Sequence, residues 1–507
     1  FNNCSNVIFR NMTIRSSGAS EAWTVHFMNG TNNRLNNCNV EMSGNGVTSG
    51  SSNFYTIVIN GSTTSISAFS AIANNHRIDS STIRHGYYGI YTNMNNGSNT
   101  LSFMYNNLVD AYQYGIYCQS QQTVKFNYNT VNVRSSITSA IAVYFASANP
   151  SGSNYNELIG NTILRTGQYG LYVTSSNGGS TSQGLMYNNM INGFAYPFGT
   201  SGIFLQSSSN WNVYHNTVNM DLVTASGTNS ALFVQNGSNN NVRNNILATN
   251  RPTASSFIPL IITPSSAVSV LNENNYYNPS SSNLLQINGV NYTASTFIGT
   301  YPSGGGTNSL NVDPSFVSST NLHITNPCNN GANLGVLTDL EGNTRGSSPD
   351  MGADEINSLA NDDIGVSVIN SPNFPLASGS QSINVTLKNY GGNTITSANI
   401  NYRVNGGTVV TQAWSGTLAP CATLSLTLTT PFNFGTGTSN LKVYTTLPNG
   451  NADNAPTNDT SQWTLCPALS GTYTINPLGS GPTNFTSFGA AISNLNCGGI
   501  GSSVLFN

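Results

Sequence analysis

Charge is scarce in this chain. Only 6% of the 507 residues are Asp, Glu, Lys or Arg, and 14 basic against 17 acidic side chains leave a net charge of −3. Such a surface exerts little long-range pull, which argues against nucleic acid or an anionic membrane as a partner. Long apolar runs are missing as well, so no stretch reads as a membrane span. The seven cysteines include no C-x-x-C pair, and no zinc site is expected. No signal-peptide pattern opens the chain; Phe1-Asn2-Asn3 already reads as part of a repeat, so a longer precursor is expected.

Polarity comes instead from Asn, Ser, Thr and Gly. Apolar side chains make up 38% of the chain and alternate strictly, which argues for folded strands rather than disorder. A short unit recurs: an apolar residue, two polar positions, Asn, one residue, then Ile, Val or Leu. Met104 to Val109, Phe126 to Val131, Leu158 to Ile163, Met186 to Ile191, Val213 to Val218 and Val242 to Leu247 fit it, with looser copies at Phe9 to Ile14, Leu35 to Val40 and Ala73 to Ile78. The copies lie roughly 22 to 38 residues apart, the period of a solenoid. A second unit follows, a small residue, an aliphatic and an aromatic: Gly89-Ile90-Tyr91, Gly115-Ile116-Tyr117, Gly170-Leu171-Tyr172, Gly202-Ile203-Phe204 and Ala231-Leu232-Phe233.

Stacked coils place equivalent positions about 4.8 Å apart in parallel sheets. Alternation then sends Ile90, Ile116, Leu171, Ile203 and Leu232 inward as one column. Asn107, Asn129, Asn161, Asn189, Asn216 and Asn245 are expected to form an amide ladder at the strand turns, with His76, Cys38 and Met12 in the same column of the looser coils. The pattern resembles the right-handed parallel β-helix of the pectin-lyase-like superfamily over about half the chain.

The fold class expected is all-β, in three parts. Residues 1–357 form a parallel β-helix with an irregular C-terminal cap. Its closing stretch, Val312 to Val317, Leu322-His323-Ile324 and Asp339 to Ile356, resembles the endings of secreted bacterial β-helix proteins. Arg345 is expected to bridge Asp339, Asp350 or Asp354 there, although the same acidic cluster also suits Ca²⁺ through oxygen ligands.

Residues 361–465 read as an immunoglobulin-like β-sandwich, with strands at Ile364 to Ile369, Ser382 to Asn389, Ala398 to Val404, Thr423 to Thr429 and Asn440 to Thr446 and a hairpin turn at Asn405-Gly406-Gly407. Its Asn389 to Gly392 turn and Asn451 to Thr460 loop resemble bacterial adhesion-related modules. Residues 466–507 read as the strand-helix-strand cap of a following β-helix. Phe485, Phe488, Ile492 and Leu495 share the face of its helix, Thr483 or Asn484 caps it, and Cys466 with Cys497 is a disulfide candidate, Cys421 being a rival. Cys4 and Cys38 are expected to stay free thiols.

The resemblance implies that relatives of this fold include lyases and hydrolases of acidic polysaccharides. Glu41, Asp79 and Asp110 align one residue after Val40, Ile78 and Val109, with Arg15, Arg77, Arg84, His76 and His85 near them. A glycosidase needs paired carboxylates across one groove, and a stack of carboxylates suits Ca²⁺. Yet the Asn-Thr-Asp and Gly-His-Gly motifs of such hydrolases are absent. The expectation is therefore an ordinary polar column, without catalytic residues and with no cofactor beyond calcium as an option.

A second outward column, Tyr91, Tyr117, Tyr172, Phe204 and Phe233, is expected to stack on itself, or to offer sugars or a neighbouring filament a flat platform. The resulting reading is a non-catalytic module of a long bacterial surface adhesin or filament, extracellular, with further tandem copies as partners. The resemblance implies export by the type IX route. The alternatives are a polysaccharide lyase or glycoside hydrolase, and a carbohydrate-binding module.

Overall fold

A computed structural model describes residues 1–18, 20–47, 49–70, 73–94, 100–196, 199–221, 229–250, 257–293, 306, 308–356, 361–435, 437–453 and 455–507. The chain divides into two units, Phe1–Ile356 and Asn357–Asn507. The expected boundary at residue 357 lies outside the described residues.

The first unit is a parallel β-solenoid. Each coil gives one strand to each of three sheets, as Thr100–Met104, Asn107–Val109 and Tyr114–Gln119 do, followed by Thr123–Asn127, Thr130–Asn132 and Ile141–Ala146 in the next coil. Among the described residues the first and second sheets have ten parallel strands each, and the third has ten parallel strands and an eleventh that is antiparallel. Ile57, Ile90, Ile116, Val143, Leu171, Ile203, Leu232 and Leu260 pair level by level, every one buried completely. Each such burial contributes about 1.5–3 kcal/mol, an increment that exists only because a neighbouring coil covers it.

The small residue beside this column is required by the sheet opposite. A Cβ on Gly115 would lie 2.7 Å from Val131 Cγ1, and one on Gly202 would lie 2.3 Å from Val218 Cγ1. Asparagine abundance has a backbone cause as well. At the corner between the first and second sheets, one residue per coil takes positive φ: Asn11, Asn37, Ser80, Tyr105, Tyr128, Gly160, Asn188, His215, Asn244 and Glu273. Asn adopts that conformation more readily than most side chains.

The residue after each of these corners forms the ladder. Oδ1 of Asn129 accepts from the Asn106 backbone N–H at 2.9 Å, and Asn161, Asn189, Asn216, Asn245 and Asn274 repeat the bond upward at 2.9–3.2 Å. Asn107 is not a member. It is exposed and opens the strand Asn107–Val109, paired with Thr130, so the repeat in that coil runs from Phe103 to Leu108. The adjacent Asn106-Asn107 pair permits a one-residue slip, which turns an inward side chain outward. His76 also leaves the column: Ser81 stands there, its Oγ accepting from Cys38 N–H at 3.1 Å, while His76 lies in the first sheet beside Leu101.

The irregular segment after the last coil lies along the solenoid's flank. Leu310 bridges Asn275 in the second sheet. From there Asn244 Nδ2 donates to Ala332 O at 2.6 Å, Asn188 Nδ2 to Thr338 O at 2.7 Å, and Ala353 N–H to Thr217 Oγ1 at 2.8 Å. Met351 and Ala353 bury themselves on Ile246, Ala248 and Met190, outward residues of that sheet. The third sheet ends differently, in the antiparallel hairpin Leu285–Ile287 with Val290–Tyr292, which halts parallel growth at that edge.

The second unit is antiparallel. A three-stranded sheet, Ile364–Ser371, Asn384–Asn389 and Thr423–Thr427, and a four-stranded one, Val410–Leu418, Ile395–Val404, Ser439–Thr446 and Thr460–Leu465, share an apolar core that includes Val385, Ile400, Val443 and Phe434. Asn405 and Gly406, both at positive φ, make the hairpin between Ile395–Val404 and Val410–Leu418. Beyond this core Leu469–Ile475 pairs in parallel with Ile500–Phe506, with the helix Phe488–Gly498 between them in sequence. Ser487, rather than Thr483 or Asn484, caps that helix by accepting from Ala490 N–H at 3.1 Å. Cys466 bonds to Cys497, and Cys4 and Cys38 are free.

Candidate functional site

The expected acidic column does not exist as a column. Glu41 lies in the second sheet between Arg15 and Arg84 and pairs with Arg15 at 3.1 Å. Asp79 lies in the first sheet, level with Asn36 and Met104, and pairs with Arg34 at 2.7 Å and Arg77 at 3.4 Å. Burial raises the pKa of its carboxyl, and the two guanidiniums oppose that shift. Asp110 occupies a turn after the second-sheet strand, held by Arg134 Nε and Nη2 at 3.3 and 3.1 Å. The count of one residue after an aliphatic was sound for each copy. It failed across copies because Ile78 belongs to the first-sheet strand His76–Asp79, and because Val109 is itself level with Arg84 and Glu41, which leaves Asp110 one residue further on.

In the flank segment Arg345 is held by none of its three expected carboxylates. Its Nη1 donates to Glu355 Oε2 at 2.9 Å, and the Asp350 it touches contributes its backbone carbonyl at 3.0 Å. Asp339 instead accepts from the N–H groups of Glu341, Asn343 and Glu355, bracing a turn. Asp350 accepts from Ile356 N–H at 2.9 Å, and burial pushes its pKa up to about 7. Asp354 accepts from Ile324 N–H at 2.8 Å and lies within 4.8 Å of Glu341 and His323, which themselves pair at 2.9 Å.

The aromatic column is continuous and larger than the sequence repeats suggested. Tyr91, Tyr117, Tyr144, Tyr172, Phe204 and Phe233 follow one another with ring centroids 4.6–5.4 Å apart. Tyr144 belongs to Ala142-Val143-Tyr144, a copy of the same small, aliphatic, aromatic unit as Ala231-Leu232-Phe233, and it fills the level between Tyr117 and Tyr172. A second column, Tyr55, Tyr88 and Tyr114, stacks beside it at 4.8 and 5.0 Å with planes within 4° of parallel. The ring faces are turned to one another from Tyr91 to Tyr117, from Tyr172 through Phe204 to Phe233, and from Tyr55 through Tyr88 to Tyr114, whereas Tyr144 is tilted by 47° to Tyr117 and by 62° to Tyr172. A sugar platform needs an open ring face, and within the stacked levels those faces are already covered.

Burial also keeps these phenols neutral. It pushes Tyr91, Tyr114 and Tyr169 up to about 12, and raises Tyr88 and Tyr144 as well. Between the ordinary phenol value near 10 and about 12, the unfolded chain releases protons that the folded chain keeps, so stability falls as pH rises through that window. The expected outcome is a tyrosinate absorbance titration in which a large group of tyrosines ionises only together with loss of β-sheet circular dichroism above about pH 10. A smooth titration at ordinary phenol values with the sheet signal intact would contradict the stacking.

No family model matches the chain, and no curated protein sequence does either.

Proposed function

We propose that this chain is a non-catalytic structural module of a long, secreted bacterial surface protein, an adhesin or filament in which β-helix rods of the pectin-lyase-like type alternate with immunoglobulin-like spacers. The observation that carries this reading is the segment Leu469 to Phe506. Its two longer strands pair in parallel, as solenoid strands do, while Phe488, Ile492, Ile500 and Leu505 stand exposed at 72%, 53%, 58% and 56%. An apolar edge of this kind suits the first coil of another rod. The ion-paired carboxylates support the non-catalytic half of the reading, since Glu41, Asp79 and Asp110 lie apart and each already has an arginine partner.

Electron microscopy of the native surface protein is expected to show thin fibres in which rods alternate with smaller beads. Isolated compact particles with an intact mass near 53.6 kDa would overturn the tandem reading. Activity on pectin or alginate that disappears in the triple variant Glu41→Gln, Asp79→Asn, Asp110→Asn would instead favour the polysaccharide lyase or hydrolase.

A further inference from the structure

Three carboxylates converge in the second unit at a place where sequence reading found only a domain border and a loop. Asp363 immediately precedes the strand Ile364–Ser371, and Asp459 immediately precedes Thr460–Leu465. Asp453 belongs to the turn between Pro448–Gly450 and that second strand. One oxygen from each of the three lies within 4.8 Å of the others. Asp363 and Asp459 are 4% and 7% exposed, yet Oδ1 of each has no hydrogen-bond partner, and the same holds for the buried Oδ1 of neighbouring Asn458.

The rest of the neighbourhood is arranged to hold these groups in place. Asn458 Nδ2 donates to Asp363 Oδ2 at 3.1 Å, and Ala455 N–H donates to Asp453 Oδ1 at 2.8 Å. The Asp459 backbone carbonyl accepts from Val366 and Thr445 at 3.2 and 3.3 Å, tying the loop to both sheets. No ion-paired Lys, Arg or His among the described residues faces the cluster. Burial disfavours the ionised forms of Asp363 and Asp459, and the neighbouring Asp453 charge adds repulsion on both. Buried acceptors without donors are costly, and like charges at this spacing repel. A cation relieves both.

We infer that Asp363, Asp453 and Asp459 form a Ca²⁺ site that fastens the 453–459 loop to the first strand of the antiparallel core. The donor chemistry selects the ion. All three ligands are carboxylates and the adjacent orphan acceptor is an amide oxygen, a hard-oxygen set with irregular spacing that fits Ca²⁺ rather than Zn²⁺. Extracellular calcium modules of this kind bind in the range of about 0.1–1 mM.

The test uses the whole chain and calcium chloride after chelation. Isothermal titration is expected to give one site in that range, and Tb³⁺ is expected to show sensitised emission from Tyr390, whose N–H donates to the Asp363 carbonyl at 3.0 Å. Asp453→Asn should weaken calcium binding by at least about tenfold, while its melting in chelator matches or exceeds that of the parent because a repelling charge is gone. Asp459→Asn serves as a second variant, with limited proteolysis of the 453–459 loop slowed by calcium in the parent only. Absence of calcium heat in the parent at 10-fold excess over that range, or unaltered binding in Asp453→Asn, would overturn the site.

Discussion

Arg345→Met should loosen the flank segment from the solenoid and cost about 3–5 kcal/mol, the penalty of stranding a buried charge partner. Arg345 is 1% exposed at its side chain and reaches four acceptors: Asp350 O, Glu355 Oε2, Asn188 Oδ1 and Gly352 O, at 2.8–3.0 Å. One of these, Asn188, belongs to the corner of a coil far away in sequence, so the guanidinium joins the segment to the rod. Methionine fills a similar volume but satisfies none of the four. Arg345→Lys should recover only part of the loss, because a point charge cannot reproduce the planar fork.

The measurement that separates this from general instability is limited proteolysis. Residues 308–356 should become cleavable while the coils resist. Neighbouring groups reinforce the expectation. His215 contacts the Asp350 carbonyl at 3.1 Å, and burial, with the nearby Arg345 charge second, pushes it down to about 3, so it stays neutral and adds no charge of its own. An Arg345→Met protein with unchanged protease resistance and melting would mean that the apolar contacts of Met351 and Ala353 hold the segment unaided.

The solenoid itself was legible because each coil repeats the same physical demand. Ile116, Leu171 and Ile203 each stand between a glycine and an aromatic, and the repeat of that unit gives facing directly. Register was less legible, for two separate reasons. Adjacent asparagines at Asn106-Asn107 satisfy the same written pattern at either position, and only the pairing of Phe103 with Phe126 decides between them. Ala73 to Ile78 imitates a corner although it leads into the first-sheet strand His76–Asp79, since an apolar residue followed by an alternating one occurs in both sheets. The antiparallel unit lost strands at Val410–Leu418 and Thr460–Leu465, where exposed Thr, Gln and Ser dilute the alternation.

The calcium candidate was invisible for a different reason. Asp363 and Asp459 are 96 residues apart, and nothing in local spacing joins them. Arg345 likewise offered five acidic residues within ten positions, and its choice of Glu355 depends on the fold of the turn rather than on distance along the chain.

The register correction carries its own sharp consequence at the ladder. Asn161→Leu should destabilise the solenoid by about 2–4 kcal/mol, whereas Asn107→Leu should stay within about 0.5 kcal/mol of the parent. Asn161 is fully buried, and its amide serves both neighbours: Nδ2 donates to Phe126 O at 2.8 Å and to Asn189 Oδ1 at 2.9 Å, while Oδ1 accepts from Asn129 N–H at 3.0 Å. Leucine keeps the branched shape but is bulkier and cannot hydrogen-bond, so crowding adds to the cost of unmet polar groups, at least the Phe126 carbonyl and the Asn129 N–H. Asn106→Leu should resemble Asn161→Leu, because Asn106 Nδ2 donates to Ile78 O at 2.7 Å and its Oδ1 accepts from Ser81 N–H at 3.0 Å. Denaturant melts of the three variants decide the matter: a large loss at 107 with none at 106 would restore the slipped register, and no loss at 161 would remove the ladder from the forces that hold the coils together.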